Sequence, residues 1–403
     1  MRSISESSLP LLRSLVDKFN VHFGEIKTAA VVLSPASIIL LGDHTHYNDG
    51  ISISASVDKY TAIAVRERKD EAVYVVAGNQ SFPINAFSDE FFEKVGSFEL
   101  RFIRKLVQVL RAAGKLTCGF DCAITTNIPL CIGLGYYTPL LIGALSALNI
   151  VFKLNLSFEE MVEFSRKVEL SLIGKISNKS LHYTVAKGKK NRLFYFDLRN
   201  ENYTTHSLPE DKYKLVICDT NEIIERVEDL CNERITECEV GAKGLRLYIW
   251  GITNLRDVEL EFLEKHIHMI PKRVYQRCLY NVKERIRVEK AVKAWKKKDY
   301  ELVGRQMFES HESLSADYEL SSTELDFLVN ESKKIEGVIG AKMVSCTPHR
   351  STLNFVETEK VDDFIKKLNS VYKHKYNKKF TPFIFDINEC VKHIPYKDLT
   401  LSL

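Results

Sequence analysis

Two periodicities of apolar residues alternate along the chain. Leu12, Leu15, Val16 and Phe19 recur at helical spacing, so an amphipathic helix opens it. Ala29–Leu33 reads as a first strand. Ile38–Leu41 is four apolar residues in a row, a buried strand that Gly42 ends. Ile51, Ile53 and Ala55 alternate with Ser52, Ser54 and Ser56, the pattern of a half-buried strand, and Tyr60–Val65 continues the sheet. Ala72–Ala77 and Phe82–Phe87 read as a hairpin around Gly78 and Asn79. Phe102, Leu106, Val109 and Leu110 mark a helix that stops before Gly114. Cys122–Thr126 is a strand, Thr138–Asn149 and Phe158–Ile173 are helices, and Leu193–Asp197 is a strand.

A polar, proline-containing link at Leu208–Lys212 changes the character of the chain. Beyond it come a strand at Leu215–Cys218, a long helix at Ile224–Leu245, and helices at Val282–Trp295 and Asp299–Phe308. Strands at Gly340–Val344 and Leu353–Val356, a helix at Val361–Tyr372 and a strand at Phe383–Ile387 follow. Strands and helices mixed in both halves predict an α+β protein of two domains, 1–209 and 210–403, with a cleft between them. The length of 403 residues supports that division, since it is long for one core.

Composition narrows the function classes. Hydrophobic residues make up 45% and charged residues 27%, as in an ordinary globular protein. A net charge of +4 gives no reason to invoke nucleic acid or a membrane surface. Nine cysteines are scattered with no C-x-x-C pair, which predicts free thiols in a reducing compartment. Ser3–Pro10 is polar and unlike a signal peptide, and no apolar run reaches membrane-spanning length, so a cytoplasmic location is expected.

The densest chemistry lies between two strands. Asp43, His44, Thr45, His46, Tyr47, Asn48 and Asp49 put seven polar side chains into one loop, closed by Gly50. A rigid strand pair presenting such a loop suits a small polar ligand. A metal site at Asp43, His44, His46 and Asp49 is the weaker reading; hydrogen bonds to loop backbone are expected instead. Glu233, Arg234 and Glu237 on one helix read as a solvated face with ion pairs.

This loop resembles the galactokinases, a branch of the GHMP small-molecule kinases, which carry a run of the type P-G-R-V-N-L-I-G-E-H-T-D-Y-N-x-G. Pro35, Gly42, His44, Thr45, Tyr47, Asn48 and Gly50 match it, and Asp43 stands for Glu. Ser310, His311, Ser313, Leu314, Asp317, Tyr318, Glu319, Ser321, Glu324, Leu325 and Asp326 match a second family pattern. Asn232–Arg234 with Cys238, Asn254–Asp257, and Gly340, Ala341 and Met343 match others. The resemblance spans nearly the whole chain. It implies a two-domain GHMP-kinase fold, with a ribosomal-protein-S5-like N-terminal domain and a ferredoxin-like C-terminal domain. It places sugar contacts at Asp43, His44, His46 and Asn178, and nucleotide contacts at Gly133, Gly135, Tyr136, Tyr137 and Thr138. ATP and magnesium are the cofactors if the kinase reading holds.

The departures from the family pattern fall on its chemistry. Ser37 stands where the family has the Arg that serves phosphoryl transfer, and His46 where an Asp holds the sugar. The phosphate loop needs small residues, because backbone N–H groups must approach phosphate at a helix tip. It reads Pro129-Leu-Cys-Ile-Gly133-Leu-Gly135-Tyr-Tyr-Thr138-Pro139, with Tyr136 and Tyr137 expected in the phosphate space and the Thr138 hydroxyl expected to cap the helix. Leu181 takes the position of the catalytic Asp, placed from Gly174 upstream and Asp197–Arg199 downstream. His182 is next to it, but adjacent helical residues point about 100° apart. The last glycine-rich loop becomes Val344–Arg350 with no glycine, and Cys231 replaces a sugar-contacting Tyr. A general base alone is worth about 10²–10⁴ in rate, enough to take a turnover of about 10 per second to roughly 10⁻³ per second. These changes predict a galactokinase-like pseudokinase that binds a sugar, a nucleotide or a protein. The alternative is an active ATP-dependent sugar-1-kinase of galactose or altered specificity, with Asp43, His44 and His182 in new roles.

Overall fold

The computed structural model describes residues 6–78, 80–84, 98–209 and 211–402. The first half runs α1 (Leu9–Phe23), β1 (Ala30–Leu41), β2 (Ile51–Glu67), β3 (Val73–Ala77), β4 (Gln80–Ile84), α2 (Phe98–Ala112), β5 (Phe120–Thr126), α3 (Tyr137–Val151), α4 (Phe158–Ile173), α5 (Lys179–Lys187), β6 (Arg192–Asp197) and β7 (Asn202–Ser207). The second runs β8 (Tyr213–Ile223), α6 (Val227–Arg246), α7 (Leu260–Lys265), α8 (Lys272–Lys296), α9 (Tyr300–Ala316), α10 (Thr323–Ser332), β9 (Val338–Val344), β10 (His349–Glu357), α11 (Val361–Tyr376), β11 (Thr381–Phe385), β12 (Lys392–Ile394) and α12 (Tyr396–Ser402). The mixed architecture agrees with the α+β reading, and no helix among the described residues is long and apolar enough to cross a membrane.

The segments read as separate strands at 29–33 and 38–41 are one strand, β1, and those at 51–56 and 60–65 are one strand, β2. Pro35 does not break β1, because the ladder shifts register between Pro35 and Ala36. β2 organises the first sheet. One edge pairs with β1; the other pairs with β6 along Ile51–Ser54 and with β5 along Thr61–Glu67. Ser52, Ser54 and Ser56 are buried, so this stretch is not half-exposed as its alternation suggested. α5 covers the serine face, where Ser54 Oγ lies 2.6 Å from Thr184 Oγ1. Small hydroxyls let that helix approach closely, and the alternation recorded side-chain size rather than exposure.

β3 and β4 pair as the sequence indicated, with β4 beginning at Gln80; Asn79 and the end of that reading, 85–87, lie outside the described residues. The second sheet runs β11-β8-β10-β9, all antiparallel. The C-terminal segment returns to the first sheet, where β12 pairs with β1.

Two devices hold the helices to the sheets near the polar loop. Glu284 of α8 is fully buried, accepts from the Gly42 N–H at 2.8 Å and from Ser310 Oγ at 3.0 Å, and pairs with Arg287 Nε at 2.7 Å. It thus satisfies the backbone where β1 ends. The second is a bare backbone contact. A Cβ at Gly304 of α9 would lie 1.9 Å from the Ile339 carbonyl oxygen of β9. Gly304→Ala is therefore expected to destabilise the fold by about 1–3 kcal/mol through overpacking, read as a lower urea midpoint with unchanged slope.

Candidate functional site

A cavity of about 320 Å³ lies where the loop after β1, the tip of α3, the start of α5, α6 and the β9–β10 turn converge. Every residue singled out for sugar or nucleotide lines it: Asp43, His44, His46 and Asn178, and Gly133, Gly135, Tyr136, Tyr137 and Thr138. The two positions carrying the expected chemistry meet over one glycine. A Cβ at Gly135 would lie 3.4 Å from Ser37 Oγ and 3.5 Å from Leu181 Cδ1. Gly135 and Gly133 both have positive φ, 58° and 83°, which explains why glycine stands there.

The polar loop is tied down by its own side chains. Lys342 of β9, 1% exposed, pairs with the Asp43 carboxylate, which also accepts from Ser345 Oγ at 2.8 Å. Tyr280 donates to the Asp43 carbonyl at 2.9 Å. Asp43 is thus turned inward onto a buried cation. Burial pushes His44 down to about 3 and His46 to about 4, so both rings are neutral near pH 7. His44 packs on Tyr318, with centroids 5.0 Å apart, and His46 Nε2 lies 3.1 Å from the Lys175 carbonyl. That backbone contact is the kind expected of a loop histidine. Asn178 caps α5, its Oδ1 accepting from the Ser180 N–H at 3.0 Å and from Ser180 Oγ at 2.8 Å.

The tyrosines only partly meet the expectation. Both line the cavity, but both lean onto α2: Tyr137 stacks on Phe102 at 4.2 Å, and the Tyr136 hydroxyl bonds Glu99. The room above Gly133 is taken from the other side, since a Cβ there would meet Val344 Cγ1 at 2.1 Å. Thr138 does not cap α3. Its hydroxyl donates to Glu169 Oε1 at 2.7 Å, and no side chain caps that helix.

Glu169 is the feature that sequence reasoning missed. It lies on the inner stripe of α4 with Val162, Ser165 and Val168, and reaches the cavity wall. The i, i+3 and i+7 spacing from Val162 was the available signal that this carboxylate faces inward. Its Oε2 accepts from Ser177 Oγ at 2.8 Å. His182, fully buried, faces it with Nε2 3.3 Å from Oε1. His182 Nδ1 lies 3.1 Å from the Asn178 carbonyl. Both ring nitrogens therefore face oxygen atoms that can accept. His182 is absent from the cavity wall.

Two further readings are corrected. Arg234 is not on a solvated face: its side chain is 4% exposed and donates to the Tyr318 carbonyl at 2.7 Å and to Glu237 at 3.0 Å. Arg277, fully buried, shares that Glu237 at 2.9 Å. Nor are all the cysteines free thiols. Cys231 of α6 and Cys346 of the β9–β10 turn form a disulfide across the cavity wall, with Cα atoms 6.2 Å apart. The other seven are reduced.

The electrostatics of Glu169 give a testable pH dependence. Burial raises its carboxyl, but His182 and the hydroxyls of Thr138 and Ser177 overcome this and hold it below the ordinary carboxylate value of 4.5. Its folded value is the lower one, so its stabilisation is present above pH 4.5 and lost as the pH falls through the folded value. Melting temperatures of the unaltered protein and Glu169→Gln should converge on acidification below pH 4.5 and be furthest apart near neutrality.

Comparison with known proteins agrees with this geometry. Residues 17–67 match the galactokinase galactose-binding signature and residues 101–181 the GHMP kinases N terminal domain. The chain is 28% identical over 358 residues to the galactokinase of Roseiflexus sp. (strain RS-1), covering 89% of this chain and 91% of that one. It is 29% identical over 391 residues to the galactokinase of Staphylococcus carnosus (strain TM300), covering 95% and 100%. The crystal structure of Lactococcus lactis galactokinase complexed with galactose superposes with a TM-score of 0.87 at 26% identity, over 95% of this chain and all of that one. A mevalonate kinase shares the fold at a TM-score of 0.60 and 19% identity, over 89% and 99%. The chain carries the galactokinase galactose-binding signature and is similar to galactokinases of the GHMP superfamily over nearly its whole length.

Proposed function

We propose that this galactokinase-like protein binds a hexose in its cavity without the family's phosphoryl transfer. One observation carries the reading: Ser37 and Leu181 meet over Gly135, and they stand at the positions where the galactokinase resemblance implies a cation and a proton acceptor. Neither can do that work, because a leucine takes no proton and a serine carries no positive charge to steady the transferring group.

The residues present also fit ATP and magnesium poorly. Val344 fills the space above Gly133, and Glu169, which accepts from Thr138 in the first turn of α3, already faces the His182 ring and two hydroxyls. The hexose side of the cavity is better furnished, with Asn178 and the neutral His46 on its wall.

The second reading is an active ATP-dependent sugar kinase. The comparisons favour it over the first, since the similar curated proteins are named galactokinases and the L. lactis structure holds galactose. It would need His182 as base. Against that stands the burial of His182 on Glu169 and the Asn178 carbonyl.

Incubation with magnesium, ATP and a panel of hexoses, followed by mass spectrometry of sugar phosphates, separates the two. The first reading expects galactose to raise the melting temperature and turnover to stay at or below roughly 10⁻³ per second. Turnover near 10 per second, lost in His182→Ala, would establish the second.

A further inference from the structure

The disulfide sits at two places where this chain departs from the family pattern. Cys231 opens onto the cavity from α6, and Cys346 lies in the turn that has lost its glycines. Each partner belongs to a separately anchored wall. On the turn side, Ser345 bonds Asp43, the Ile224 N–H donates to the Pro348 carbonyl at 2.7 Å, and the His349 N–H donates to the Cys131 carbonyl at 3.0 Å. Between those anchors the disulfide is what ties residue 346 to α6. Cys346 also touches a ligand candidate, with its Sγ 3.7 Å from His44 Nε2. A disulfide sulfur has no hydrogen, so only the ring N–H can donate in that contact.

We propose that Cys231 and Cys346 form a redox latch on the cavity, opened by a dithiol. The inference rests on the hexose reading above only for the ligand it names. Cys231 is 1% exposed, whereas Cys346 is partly exposed, so an incoming thiolate attacks the Cys346 sulfur. The Cys231–Cys346 bond breaks as a mixed disulfide forms at Cys346, and Cys231 leaves as a thiolate and takes up a proton. The second thiol of the reductant then displaces Cys346. The reductant ends as its disulfide, and the protein has gained two electrons and two protons. Residues 345–348 are freed from α6, the contact on His44 loosens, and the hexose wall opens.

Three measurements on the full-length protein test this. Alkylation under denaturing conditions should add seven groups before reduction and nine after, with the crosslinked peptide mapping to Cys231 and Cys346. Nine groups without reductant would overturn the latch. Hydrogen exchange at 227–235 and 344–350 should quicken about tenfold with dithiothreitol while the first sheet is unchanged, and Cys346→Ser should show the fast pattern without reductant. Equal exchange in both states would also overturn it. Calorimetric titration with galactose should show an affinity change on the order of five- to tenfold between oxidised and reduced protein. Binding of equal strength in both states refutes the coupling to the cavity. Absence of galactose binding in both states refutes the hexose reading alone, and the exchange data then decide the latch.

Discussion

The buried pair between Asp43 and Lys342 fixes everything else about the site. A loop after β1 and a strand of the second sheet are joined by opposite charges removed from water, with Ser345 and Tyr280 meeting the remaining acceptors. Removing one partner from such a pair typically costs about 3–5 kcal/mol, because the other charge is left buried and alone. The pair therefore sets the separation of the cavity walls. It also uses up the carboxylate that the polar loop offered as a ligand for sugar. A second carboxylate, Glu169, is occupied in the same way by His182 and two hydroxyls. The cavity keeps its shape while its charges are spent on one another.

That pattern separates scaffold from chemistry. Phosphoryl transfer depends almost entirely on positioned charge, since there is little covalent work for the protein to do. Here the helix tip, the two positive-φ glycines and the polar loop remain, and they answer to backbone geometry. On the proposed reading, the positions that would respond to a moving phosphoryl hold Ser37, Leu181 and Val344. Fold likeness does not fix activity. The galactokinase relatives share the frame, and the question of turnover lives in residues 37, 133–138 and 181.

Much of the frame was legible because it follows periodicity. α1, α3, α4 and β5 appear within a few residues of their apolar patterns. The misreadings have specific causes. α8 begins ten residues before its sequence signal because Arg277 and Asn281 look like surface positions. Both are buried, and their polarity is satisfied by Glu237 and by Cys238 and Asn48. Ser52, Ser54 and Ser56 look outward-facing for the same reason. The site was located by its loop motif, but its internal bonding was not. Nothing local marks Cys231 and Cys346 as partners 115 residues apart, and nothing in the order of residues says that Thr138 prefers a carboxylate to its own helix.

The most direct test is a crystal structure of the protein grown with galactose, magnesium and a non-hydrolysable ATP analogue. The expected density is a hexose beside His46 and Asn178, with no triphosphate at the start of α3. A triphosphate lying along residues 133–138, its terminal phosphorus in line with a hexose hydroxyl, would contradict it.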